Sequence, residues 1–203
     1  MIAMLKDIFS KSPAKIWTLA LGCSAIVAGF VAWIFSLNTG LLETTGLSNT
    51  FNWGLLIAVF AFLVGFGAGS QFVASYIVLR GRTDLMPYVM VAESLALAGG
   101  CGAGVAIIID LGNPMHMLAM ITGPNPVSPL TWDMIALTLF LIFTVVNLVA
   151  VAGNSKRLKL WMGIGAFCAL ALQLVEGLLF ALIEARTWWH SFIMPIAFLV
   201  VAC

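Results

Sequence analysis

Charge is what this sequence has least of. Only 8% of its 203 residues are Asp, Glu, Lys or Arg, while 63% are hydrophobic, against roughly 25% and 45–50% in ordinary soluble domains. That scarcity excludes a soluble globular domain, and a net charge of +1 leaves no basic surface with which to hold nucleic acid. Histidine is nearly missing too. His116 and His190 both fall in or beside loops, so the facing intramembrane ligands that a b-type haem needs are absent. The cysteines show no metal-ligand spacing: Cys23, Cys101 and Cys168 sit inside apolar runs and Cys203 is the last residue, which reads as small buried hydrophobes. Neither haem nor metal is therefore expected in this chain.

What is there is a series of long apolar runs. Trp17 to Leu37 carries no charge and has about the roughly 20 residues needed to cross the hydrocarbon. The segment before it, Met1 to Lys15, is basic, but the apolar run that follows is too long for the core of a secretory signal, so it reads as a retained first span. Further spans are expected at Trp53 to Leu79, from about Pro87 to Ile109, from Trp132 to about Ala152, and at Leu160 to Ile183. Ser191 to Cys203 is apolar, but at ~1.5 Å per residue it reaches only about 20 Å, short of the roughly 30 Å core. The expected fold is an all-α integral membrane protein: a transmembrane helix bundle with five full spans and a partial sixth, read as a piece of something longer.

Basic residues set the expected topology. Lys6, Lys11 and Lys15 precede the first span, Arg80 and Arg82 follow the second, and Lys156, Arg157 and Lys159 follow the fourth, leaving Arg186 alone on the other side. This asymmetry places the amino terminus in the cytoplasm, and hence the chain in a cytoplasmic or inner membrane.

One long segment is not explained by composition. Asp110 to Asp133, DLGNPMHMLAMITGPNPVSPLTWD, contains Pro114, Pro124, Pro126 and Pro129, each of which fixes its own backbone and pushes the residue before it away from helix. It reads as a shaped loop on the outward face, and a connector of this length more often carries function than packing. Around it stand the acids. Glu93 and Glu176 fall inside spans, where a carboxylate is costly and usually faces a polar cavity or a proton route; the alternative for each is a structural hydrogen bond to a neighbouring helix. Glu93 and Asp110 sit about 25 Å apart on one helix and cannot share a site. Asp110, beside a Gly-Asn-Pro turn, either joins the outer site or organises the loop. His116, whose ordinary pKa lies near physiological pH, is either a proton carrier or a surface residue. Trp132, like Trp53 and the Trp188–Trp189 pair, suits an interfacial anchor. Gly65 and Gly69, and Gly100 and Gly104, are small-xxx-small pairs that either pack helices or make room for a flat ligand between the second and third spans.

The runs WGLLIAVFAFLVGFGAGS (Trp53 to Ser70), DLGNP with NPVSPLTWD (Asp110 to Asp133), and EGLLFALIEARTWWHSFIMP (Glu176 to Pro195) resemble the polysulfide reductase membrane subunit family, also called NrfD-like, over nearly all of the chain after the first span. The resemblance implies a haem-free anchor built as a pair of four-helix bundles, with residues 1–203 a single domain holding the first bundle and the start of a second. It implies a quinone, menaquinone or ubiquinone, as bound substrate near the interface with a ferredoxin-like iron–sulfur subunit, often beside a molybdopterin subunit. Asp110, Leu111, Gly112 and Pro114 match the family's Asp-Leu-Gly-Arg-Pro turn, with Asn113 where an arginine is common. Asn125, Ser128, Pro129, Trp132 and Asp133 match the run that follows.

Together these observations predict a subunit that passes electrons between quinone and an iron–sulfur partner and catalyses nothing alone. Glu176, Asp110, His116, Glu93 and Trp132 are the candidates for quinone binding and proton relay, and Asn113, Asn125, Ser128 and Asp133 for the partner-docking loop. Two other classes stay open: a purely structural anchor, in which the buried acids are inert, and a proton-coupled transporter built around Glu93 and Glu176, for which no internal repeat is visible.

Overall fold

A computed structural model of the chain describes residues 13–46, 53–113, 115–182 and 190–203, with the side chains at 13, 14, 41, 116 and 119 also left outside the description. The described residues form helices joined by turns. Residues 1–54 and 55–203 are two separate compact units.

In the first unit, helix α1 (Pro13–Thr39) is apolar on every side, and its membrane-length window from Lys15 to Thr39 has none of its surface buried. A helix without a polar face is at rest only in lipid. It ends at Gly40, which adopts φ 94, and is followed by one short helix, α2 (Leu41–Thr45), closed by Gly46 in the left-handed conformation. The Ser36 and Thr44 hydroxyls lie 3.0 Å apart and tie the two together.

The second unit is a ring of four helices: α3 (Leu55–Leu79), α4 (Met86–Asp110), α6 (Pro129–Ala152) and α7 (Leu158–Ala181), with α3 packed on α4, α4 on α6, α6 on α7 and α7 on α3. The four-helix bundle is thus built by the second to fifth spans. Helix α8 (Met194–Ala202) lies against α7 and α3. Short turns join α3 to α4 and α6 to α7 on one face, the first of them through Gly81 at φ 68 and an Arg82–Asp84 ion pair of 2.8 Å. On the opposite face α4 passes to α6 through a long cap that contains α5 (Met115–Thr122).

The proline-rich segment is indeed not one helix, but it is shorter as a loop than its sequence suggests. Pro129 lacks an N–H and has the right φ for the first helical position, so α6 starts there and takes Trp132 and Asp133 into its first turns.

Between helices the contacts are those of a membrane bundle, in which close van der Waals approach replaces the hydrophobic drive. A Cβ on Gly99 would lie 2.9 Å from the Gly67 Cα and from the Leu63 carbonyl oxygen. Only hydrogen fits there. The residues of the expected pairs serve other neighbours: Gly100 faces Phe140 and Leu141 of α6, Gly69 faces the Ala202 carbonyl of α8, and Gly104 faces open space. Midway through the bundle, Val64, Ala68, Phe140, Ala169 and Leu172 belong to one apolar core cluster, beside which the buried Gln173 of α7 donates to the Val64 carbonyl at 3.4 Å.

Candidate functional site

Buried polar residues gather in two groups, one toward each face of the bundle. Toward the short-turn face, Gln71 on α3 donates to a Glu93 oxygen on α4 at 2.8 Å and lies 3.0 Å from the Ser75 hydroxyl. That hydroxyl donates to the Met162 carbonyl of α7 at 3.0 Å, and Asn147 on α6 reaches the same Glu93 oxygen at 3.4 Å. The Glu93 carboxyl therefore links α3, α4 and α6, and the Ser75 hydroxyl carries the network on to α7. Gly165 makes this possible, because a Cβ there would collide with the Asn147 amide nitrogen and press on that of Gln71. The other Glu93 oxygen and the carbonyl oxygens of Gln71 and Asn147 have no hydrogen-bond partner among the described residues.

Toward the cap lies the second group. Asp133, one turn into α6, is 3% exposed, and Glu176 on α7 is wholly buried. Neither Glu176 oxygen has a hydrogen-bond partner among the described residues, nor does Oδ1 of Asp133, and the two carboxyls are close enough for the charge of Asp133 to act on Glu176. Asp133 also forms part of the wall of a cavity of about 370 Å³ between the cap-side halves of α4 and α6 and the cap helix α5. Its other walls are almost entirely hydrocarbon and thioether, from residues such as Ile108, Met117, Met120, Met134 and Leu137. Gly104 lines it with no atom within 4 Å of where a Cβ would stand. A crevice does lie beneath the cap. It opens between the third span, the cap and the fourth, rather than between the second and third.

The expected site residues separate accordingly. Glu176 is buried inside the bundle, near enough to Asp133 for its charge to be felt, and is not in the crevice wall. Asp110 ends α4, half-buried, with Oδ1 lacking a partner among the described residues and outside the crevice lining. Glu93 belongs to the other polar group, toward the short-turn face. His116 is on α5, but its side chain lies outside the described residues, as do Pro114 and the Trp188–Trp189 pair.

Trp132 is 53% exposed and donates its indole N–H to the Pro126 carbonyl at 2.8 Å, latching the cap to α6. Of the residues expected to dock a partner, Asn113, Asn125 and Ser128 are on the cap. Asn113 and Asn125, both exposed, each spend their side-chain oxygen on a backbone N–H two residues ahead, at 3.0 Å, which fixes the turns. Asp133 does not belong with them, because the early start of α6 turns it into the bundle. Among the described residues no group of three His, Cys, Asp or Glu is arranged to hold a metal ion.

Sequence reasoning missed Gln71, Asn147 and Ser75, and took Asp133 for a surface residue. A signal existed: Asp133, Leu137, Phe140, Thr144 and Asn147 recur at alternating spacings of four and three, the stripe one helix shows to its bundle partners.

The family model described as "Polysulphide reductase, NrfD" matches residues 43–203. The chain is 30% identical to a putative dimethyl sulfoxide reductase membrane subunit of Halobacterium salinarum, a match covering 82% of this chain and 43% of that protein. It is 26% identical to the Hdr-like menaquinol oxidoreductase integral membrane subunit of Archaeoglobus fulgidus, covering 86% of this chain and 44% of that one. The chain thus spans less than half the length of the curated relatives it matches. No solved structure matches it.

Proposed function

Because the chain belongs to the polysulphide reductase NrfD family, we propose that it is the quinone-reactive membrane subunit of an oxidoreductase complex, with the crevice under the cap as the place where the redox lipid meets the protein. The observation that carries this reading is the crevice itself: an apolar cavity of about 370 Å³ with Asp133 as the one carboxyl among the described residues of its wall and Glu176 buried near it.

A quinone headgroup fits these walls. It is flat and largely apolar, it needs few polar contacts, and ligand cavities of roughly 300–1,000 Å³ are the usual size for such molecules. Methionines at 117, 120 and 134 offer thioether contacts that suit an aromatic ring. Asp133 exchanges hydrogen bonds and a proton with the headgroup oxygen, and Glu176 is the next acid inward. The menaquinol chemistry in the name of the Archaeoglobus relative favours menaquinone over ubiquinone.

Electrons then pass between the lipid and a partner docked on the cap, for which the resemblance implies a ferredoxin-like iron–sulfur subunit and, beyond it, a molybdopterin subunit. The exposed side chains of Asn113 and Asn125 are contacts the cap presents. With Lys156, Arg157 and Lys159 on the opposite, short-turn face, the cap faces outward from a cytoplasmic membrane.

The test is photolabelling of the native complex, purified through a tag on this chain, with an azido-quinone. Cross-links at α4, α5 or α6 beside the crevice, suppressed by excess unlabelled quinone, support the reading. Labelling confined to other helices, or not suppressed, refutes it.

A further inference from the structure

The two short turns at the end of the bundle away from the cap lie side by side, because Leu85 from one and Leu158 from the other pack against the same buried cluster of Val78, Val89 and Met162. These turns and the helix ends beside them carry Arg80, Arg82, Lys156, Arg157 and Lys159, all exposed, against a single carboxylate, Asp84. Asp84 is already spent, since it pairs with Arg82 at 2.8 Å. Arg80 stands over the Tyr76 ring at 5.7 Å, and among the described residues no ion pair engages Arg80, Lys156, Arg157 or Lys159. Four permanent cations on one face are left without a counter-charge.

Three of them surround the start of α7, where open backbone N–H groups already make the positive end of the helix dipole. Arg157 is the N-cap residue there, no side chain caps the helix, and no acid stands in its first turn. An anion would relieve both the repulsion among the cations and the uncompensated dipole. The surroundings favour one kind of anion. Tyr76, Leu79, Tyr88 and Leu160 are exposed beside these cations at the ends of membrane-length helices, the depth at which bilayer headgroups lie. A phospholipid brings a phosphate for the cations and acyl chains for that apolar flank, whereas an acidic protein segment would leave the flank uncovered. We propose that this face holds an anionic phospholipid, its phosphate taken by Lys156, Arg157 and Lys159. Helix α3 packs on α7, which brings Arg80 to the same end of the bundle. The site is independent of the quinone crevice, which lies at the opposite end.

The experiment is native mass spectrometry of the protein drawn from its own membrane through a tag on this chain, with the subunits that come with it. The sample is stripped of lipid in detergent and titrated with phosphatidylglycerol, or with phosphatidylcholine of the same acyl chains. The wild type should retain at least one phosphatidylglycerol per copy of the chain that the triple variant Lys156→Gln, Arg157→Gln, Lys159→Gln loses, with phosphatidylcholine retention equal in the two. The double variant Arg82→Gln, Asp84→Asn removes a pair that is already neutral and should retain the wild-type number. Equal retention of phosphatidylglycerol by the wild type and the triple variant overturns the proposal, as does an equal loss of phosphatidylcholine, which would report damage to the fold rather than a lost charge contact. A triple variant that keeps its phosphatidylglycerol but loses a subunit overturns it in favour of an acidic protein partner.

Discussion

The indole N–H of Trp132 meets the carbonyl of Pro126 at 2.8 Å, so the proline turn of the cap is pinned to the helix that carries Asp133 at the very next position. One side chain therefore couples the order of the cap to the placement of the crevice acid.

Removing that latch while keeping an aromatic ring tests the coupling. Trp132→Phe deletes one hydrogen bond at a half-exposed position and should lower stability by about 1 kcal/mol or less. Turnover with quinol should fall several-fold. Limited proteolysis should cut the cap at residues 123–128 faster than in the wild type, and cleavage and turnover both at wild-type rates would sever the proposed link.

Gly104 and Gly99 make a paired test of space against packing. A larger residue at Gly104 grows into the crevice, because nothing stands within 4 Å of its missing Cβ; Gly104→Phe should leave thermal stability in detergent nearly unchanged and abolish quinone-probe binding. A methyl group at Gly99 meets backbone at 2.9 Å, so Gly99→Ala should cost about 1–3 kcal/mol of stability. Its folded fraction should still bind the probe normally. The opposite pattern would mean that the crevice is not where the probe sits.

Glu176 has no hydrogen-bond partner among the described residues and does not line the crevice, so on the proposed reading it acts by holding or moving a proton rather than by contact with the headgroup. Glu176→Gln keeps the volume and removes the exchangeable proton. Turnover should drop tenfold or more with probe affinity within twofold of the wild type, read by steady-state kinetics and equilibrium binding together. Unchanged turnover would favour a purely structural anchor.

The Glu93 group lies toward the short-turn face, outside the crevice lining, and should behave as a stability element. Glu93→Gln preserves the shape of the contact with Gln71 and Asn147 and should change stability by less than about 1 kcal/mol, whereas Gly165→Val drives into both amides. That variant should lose about 1–3 kcal/mol for each buried polar group left without a partner. Folded yield and thermal unfolding in detergent measure both, and a Gly165→Val protein as stable as the wild type would mean that the two amides rearrange freely.

Much of the fold was legible because lipid imposes it. A run of apolar residues at membrane length has no soluble alternative, so the spans from Leu55 to Leu79 or Leu158 to Ala181 differ from their sequence-based bounds by only a few residues. The same uniformity hid the site. A helix that is apolar on most sides gives only a weak amphipathic stripe, here the Asp133, Thr144 and Asn147 series on α6, and with Asp133 read as the last residue of a loop that series lost its first member. Pro129 carried the missing information, as the residue that opens a helix.

The sequence by itself determined that this chain is a bundle of membrane helices with a proline-bent cap, since charge scarcity and proline act on each segment locally, and its motifs carried the family likeness. Tertiary structure alone decided which acids meet. Asp133 and Glu176 are 43 positions apart in sequence and share one end of the bundle because α6 and α7 run antiparallel. Glu93 and Asp110 share one helix and never meet, because its rigid rise holds them about 25 Å apart.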